Sequence, residues 1–153
     1  MIKKRLYFLL IFLFLAGCGF KVIGKKNIDF GFTNINTTGN TKINYLIKNN
    51  LSIYNSDKNI IELNIETDLQ KNIKEKNIKN KVTKYELTIK SIVNYKILNK
   101  NSKGNFSITK NGVYDVKTQY SDTLIYERNL ISSLTDEIAD EIVDNILVKF
   151  NDL

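Results

Sequence analysis

A run of apolar residues spaced four apart near the C-terminus is the feature that most constrains this chain. Leu130, Leu134, Ile138, Ile142, Ile146 and Phe150 recur at that interval, and Ile131, Ala139, Val143 and Leu147 widen the stripe. Asp136, Glu137, Asp140, Glu141 and Asp144 occupy the other side. The pattern predicts an amphipathic helix of about 28 residues, on the order of 40 Å long. Asp122 or Thr123 is placed to cap its start. So wide an apolar face needs a sheet to lie on.

The sheet is visible upstream as strict alternation. Ile61, Leu63, Ile65 and Leu69 fall on odd positions, and Tyr85, Leu87, Ile89, Val93, Tyr95 and Ile97 repeat the pattern. Phe106, Ile108, Tyr114, Val116 and Tyr120 fall on even positions, with Gly112 read as a bulge or kink. Alternation of this kind belongs to strands with one buried face. The segment Asn99–Asn105, with Gly104, reads as a hairpin turn. Ile28, Phe30 and Phe32 predict a first strand, and Asn34–Asn40 a turn. Ile43, Leu46, Ile47, Leu51 and Tyr54 then follow helical spacing, predicting a helix over 41–54 capped by Asn40 or Thr41. The expected fold class is α+β, in the order β-α-β-β-β-α. Two helices pack on one face of a roughly four-stranded antiparallel or mixed sheet.

Composition removes several chemistries. The chain of 153 residues holds no His, Trp or Pro and one Cys. Without His there is no imidazole base and no Ser-His-Asp or Cys-His site. A zinc site of Cys and His is excluded too, and one Cys cannot form an intramolecular disulfide.

That single Cys follows a segment that reads as an export signal, the alternatives being an ordinary cleaved signal or a short buried strand with Cys18 incidental. Met1–Arg5 is cationic, and Leu6–Ala16 is an unbroken apolar run of eleven residues. Eleven is short of the roughly 20 that span a bilayer, but fits a signal-peptide core. Leu15-Ala16-Gly17-Cys18 follows, a sequence that looks like a bacterial lipobox. In such signals a diacylglycerol joins the Cys sulfur and the chain is cut before it. The expectation is a cleaved signal over residues 1–17, a lipid anchor on Cys18, and one domain over 18–153. Gly19, rather than Asp, follows the Cys and points to the outer membrane.

Charge is unevenly spread. From Cys18 to Gln119 there are 18 Lys against 8 acidic residues; from Tyr120 to Leu153 there are 2 basic against 8 acidic. Lys71, Lys74, Lys76, Lys79, Lys81 and Lys84 lie within fourteen residues that hold one acid, Glu75. They read either as contacts for lipid phosphates or as a solvated strand connection. Lys100, Lys103 and Lys110, around the last hairpin, form a second candidate group with the same two readings. Edge lysines also block sheet-to-sheet aggregation. The row Asp136, Asp140 and Asp144 reads as a solvated face, or as a surface that docks on a basic patch, rather than a calcium loop. Tyr85, Tyr95, Tyr114 and Tyr120 alternate with Lys as in nucleic-acid platforms, but an exported protein does not meet nucleic acid; they are expected at the edge of the core.

The order of these pieces resembles the LptE family of lipopolysaccharide-assembly lipoproteins, in its alphaproteobacterial form. Cys18-Gly19-Phe20-Lys21 is similar to that family's Cys-Gly-Phe-basic start. Gly39-Asn40-Thr41-Lys42-Ile43-Asn44-Tyr45-Leu46 resembles its Gly-Gln-x-Leu-Arg-Asn-x-Leu segment at the first helix. Thr83-Lys84-Tyr85-Glu86-Leu87 resembles its Thr-Arg-x-x-Leu. Tyr114-Asp115-Val116 through Ser121-Asp122-Thr123-Leu124 resembles the approach to its long last helix. Lys42 and Lys84 stand where the family has arginines, and a lysine cannot make the bidentate phosphate contact.

The resemblance implies a non-enzymatic protein with no cofactor beyond the lipid on Cys18. It implies a place at the periplasmic face of the outer membrane, where it plugs and helps assemble an LptD-type β-barrel and helps pass lipopolysaccharide to the surface. A polar-faced wedge suits a barrel lumen, which is lined with polar residues. The alternative is a periplasm-facing structural or adhesin-type lipoprotein with no barrel partner. An enzyme using Ser, Lys or carboxylates would need a concave cluster of those groups.

Overall fold

The computed structural model of the chain describes residues 28–151; the expected signal segment, residues 1–17, and Cys18 lie outside the described residues. The elements are β1 (Gly31–Gly39), α1 (Thr41–Leu51), β2 (Ile60–Lys76), β3 (Val82–Ile97), β4 (Ser102–Asp115) and α2 (Tyr120–Asn151). A short 3-10 turn, Leu98–Lys100, joins β3 to β4. The sheet order is β1-β2-β3-β4. β1 and β2 are parallel, while β2–β3 and β3–β4 are antiparallel. Two helices and a four-stranded mixed sheet give the expected α+β class.

Alternation decides where the core sits. Ile61, Leu63, Leu87, Ile89, Val93, Ile97 and Ile108 are buried on one face of the sheet. Ile43, Ile47 and Leu51 from α1, and Leu134, Ile138, Ile142, Val143 and Ile146 from α2, close over them. Burying each such side chain contributes on the order of 2 kcal/mol. Among the described residues the opposite face carries no helix. Among the described residues no helix is long and apolar enough to cross a membrane.

Several local expectations are corrected. The Asn- and Thr-rich segment 34–39 is the body of β1, not a turn. Its polar side chains bond the neighbouring strand: Asn34 Nδ2 donates to Glu62 Oε1 and Asn36 Nδ2 to Asn64 Oδ1, both at 3.0 Å. The turn is confined to Gly39 (φ +94°) and Asn40. Asn40 caps α1 as expected, its Oδ1 accepting from Ile43 N at 3.2 Å. That helix ends at Leu51, with Ser52 as its C-cap, short of Tyr54.

β4 runs without a register shift through Gly112, so that glycine is no bulge. A Cβ there would stand 2.7 Å from Leu130, and its absence lets α2 lie close to the strand. Gly104 sits within β4 opposite Tyr95 rather than in the turn, which is made by Asn101 at φ +48°. Tyr120 belongs to α2, not β4. That helix begins before its expected cap: the Thr123 hydroxyl instead accepts from Lys117 N at 2.9 Å and holds the preceding loop.

Candidate binding surface

β2 and β3 continue beyond β1, which ends where Gly39 pairs with Thr67. The resulting hairpin carries the lysine-rich segment. Its turn is built by Asn77, whose Oδ1 accepts from Lys79 N and Lys81 N, both at 3.0 Å, and by Asn80 in the left-handed region at φ +61°. Asn tolerates that conformation better than most residues. Ile78 is fully exposed at the tip.

The six hairpin lysines divide into two sets. Lys71 Nζ lies 2.6 Å from Glu127 Oε2, 4.4 Å from the centre of the Tyr85 ring and 5.5 Å from that of Tyr114. The two rings stack with centroids 5.7 Å apart, and Tyr114 OH donates to the same Glu127 oxygen at 2.7 Å. Partial burial works against the Lys71 ammonium, but the bonds to Glu127 and Tyr114 outweigh it and its pKa rises to about 12. Burial and the Glu127 contact likewise push Tyr114 up to about 12, against the opposing pull of Lys71. Burial raises the Glu127 pKa, yet Lys71 and Tyr114 prevail and hold the carboxyl below its ordinary value.

Lys74 pairs with Glu86 at 2.8 Å, and Lys84 with Glu75 at 2.7 Å. An irregular register after Ile73 puts Glu75 opposite Lys84. Lys84 and Thr83 hold the Glu75 carboxyl below its ordinary value. Lys76, Lys79 and Lys81 make no side-chain bond or ion pair among the described residues. They ring the tip, leaving their charge available to a ligand. Ile73, Val116 and Tyr120 are exposed toward the same end of the molecule, where Val116 N donates to Thr83 O at 2.8 Å. Lys117, not singled out in the sequence, stands 4.5 Å from the centre of the Tyr126 ring.

The second candidate group does not assemble. Lys100 lies at the opposite end, donating to Phe150 O at 2.8 Å and standing 4.1 Å from the Phe150 ring centre. Lys110 faces α2 and pairs with Glu141 at 2.6 Å, while alternation turns Lys103 to the helix-free face. The acidic side of α2 is partly satisfied from within: Glu141 by Lys110, and Asp136 by Asn50 Nδ2 at 2.7 Å. Among the described residues no three carboxylates converge to hold a metal.

No protein-family model and no curated protein matches the chain. Solved structures do match it. The crystal structure of rare lipoprotein B from Shewanella oneidensis superposes with a TM-score of 0.60 at 15% identity, over 80% of this chain and 98% of that one. The fold is that of known bacterial lipoproteins. A lipoprotein from Caulobacter crescentus matches with a TM-score of 0.51 at 10% identity, over 72% of this chain and 86% of its own. Lipoprotein B from Nitrosomonas europaea matches at 0.51 and 15%, over 82% and 88%. At these identities the likeness concerns the path of the backbone, not the side chains of the hairpin.

Proposed function

We propose that this chain is a lipid-anchored outer-membrane lipoprotein of LptE type that lodges in an LptD-type β-barrel, assists its assembly and helps pass lipopolysaccharide to the cell surface. The observation that carries the reading is the fold, which follows rare lipoprotein B over 80% of this chain. The lipobox ending at Cys18 supplies the anchor, and the helix-free sheet face, with Asn36, Asn64, Asn94 and Asn105 on it, suits a polar lumen wall. The hairpin tip, with Lys76, Lys79, Lys81 and the exposed Ile78, offers point charges to phosphates beside an apolar side chain, a combination suited to an anionic amphiphile. The protein acts by occupying space and binding, without chemical turnover.

The test is purification of the tagged full-length protein from membranes in mild detergent. A stoichiometric outer-membrane barrel should accompany it, and depletion should leave lipopolysaccharide in the periplasm. Recovery without a barrel returns the chain to the class of structural lipoproteins. Cys18→Ser should abolish incorporation of labelled fatty acid. K76Q/K79Q/K81Q should weaken lipopolysaccharide binding while the thermal midpoint stays unchanged, since none of the three side chains is bonded among the described residues and the backbone bonds of the turn are kept.

A further inference from the structure

The outer edge of β4 is left open by the ladder on its inner side. Val116 N donates to Thr83 O at 2.8 Å, one step past the last paired residues of β3 and β4. Bonding alternates along an antiparallel pair, and no register shift interrupts this one, so the even-numbered residues of β4 bond to β3. The far side of the sheet agrees. Thr67 O accepts from Asn40 N beside β1, and alternation carried across β2 and β3 gives the same result. The odd-numbered residues from Lys103 to Asp115 therefore turn both N–H and C=O away from the sheet. Among the described residues no strand pairs with them.

Sheets commonly blunt such an edge by keeping it short, by a bulge, or by placing Pro or Lys on it. β1, the other edge, has nine residues and a register shift between Phe32 and Asn34. β4 has fourteen residues, no shift and no Pro. Lys103 is the one lysine among its outward-bonding residues; Lys110 points to the helix side, where Glu141 holds it. A barrel wall cannot complete this ladder, because a closed barrel has no edge strand to offer. An extended segment can, by adding a strand.

Side chains that lie opposite one another in a strand pair share a face. Half of an added strand's side chains would thus lie beside the even residues of β4, next to α2. That flank of the helix is acidic. Glu141 lies 2.6 Å from Lys110 Nζ, and Glu137, one turn earlier and exposed, acts on the same ammonium through space. Two carboxylates thus stand against one lysine. The other half of the side chains would lie on the helix-free face beside Asn105, Ser107, Thr109 and Asn111, all uncharged. The strand that fits alternates basic residues with small hydroxyl residues.

We infer that the outer edge of β4 is a strand-addition site for an extended basic segment of another protein, running antiparallel to β4 with alternate Lys or Arg side chains beside Glu137 and Glu141. The site requires neither the lipid anchor nor the barrel, so its failure leaves the barrel copurification untouched.

The test is hydrogen exchange of the ¹⁵N-labelled full-length protein in neutral detergent micelles, titrated with a synthetic peptide that alternates lysine with threonine. The backbone amides of Ser107, Thr109 and Asn111 should exchange at least about tenfold more slowly with the peptide bound, while those of Ile108 and Lys110, already bonded to β3, change little. In the added strand the threonines lie opposite the odd residues and bond to them, whereas the lysine N–H groups point away from β4. N-methylation of the threonines should therefore abolish binding, and N-methylation of the lysines should leave it. A peptide with glutamate in place of lysine should bind at least about tenfold more weakly. Thr109→Pro removes one outward donor and no bond to β3, so it should keep the fold and weaken binding at least about tenfold. Equal binding of the two methylated peptides, the reverse preference, equal binding of the glutamate peptide, or no protection at Thr109 overturns the inference. So does a concentration-dependent dimer of the parent protein that Thr109→Pro abolishes, which gives the edge to a second copy of this chain. Should Thr109→Pro fail to fold, the methylated pair on the parent protein still decides.

Discussion

Glu127 holds one end of the helix layer to the sheet. Its carboxylate receives both the Lys71 ammonium and the Tyr114 hydroxyl, joining α2 to β2 and β4. Because the folded state lowers the Glu127 pKa from 4.5, the unfolded chain takes up that proton first as pH falls. The group's contribution to stability is therefore present above about pH 4.5 and lost as pH drops through the lowered folded value. On the alkaline side, Lys71 and Tyr114 hold protons to about pH 12, against 10.5 and 10.0 unperturbed. Their contribution is present below about pH 10 and is lost as pH rises toward 12. Glu127→Gln should cost about 1 kcal/mol at neutral pH and flatten the acid limb of a urea-midpoint-against-pH curve. An unaltered acid limb would remove Glu127 from this role. Ser91 is the opposite case: its Oγ is buried beneath the helices with no partner among the described residues. Ser91→Ala should stabilise the fold by about 1 kcal/mol in urea denaturation, because a desolvated hydroxyl is removed. Neither residue stood out in the sequence. Lys71 and Glu127 lie 56 positions apart, and nothing local marks a hydroxyl as unsatisfied.

At the scale of elements, the long strands and both helices were legible because apolar period and secondary structure agree over many residues. β1 was not. Its Asn and Thr side chains are the usual marks of a turn, yet at a sheet edge they bond along the neighbouring strand and tolerate water on the open face. The short piece of true turn depends on Gly39, where a Cβ would fall 1.9 Å from Thr67 O in a backbone region that L side chains avoid. Gly39→Ala should therefore destabilise the protein by about 2 kcal/mol or more, measured by thermal unfolding. A neutral result would mean that the β1–α1 connection re-forms elsewhere. The glycines of β4 mislead in another way. Gly104 and Gly112 look like breaks but make room for neighbours, Tyr95 beside one and Leu130 beside the other. Which neighbour a glycine accommodates depends on strand register, which its flanking residues do not encode.

At the scale of the whole molecule, one apolar layer holds the described residues together, and Ile138 is fully buried within it. Ile138→Ala should cost about 3 kcal/mol and leave a single cooperative transition, with strand and helix signals lost at the same denaturant concentration. Separate transitions would show that the sheet stands without α2. The hairpin is the part this layer does not cover, so its lysines are left to pair among nearby carboxylates or remain open at the tip. The amino-acid order alone determined the apolar run that leads to the lone Cys, the apolar stripe of the last helix, the alternation of the strands, and hence the layer they must share. It did so because these are local periodicities read one residue after another. The tertiary structure alone decided which lysines are neutralised, that four asparagines line up across the sheet, and which backbone groups of β4 stay open. Those relations join residues from separate elements, and only hydrogen-bonded register and the angle of a packed helix bring them within reach of one another.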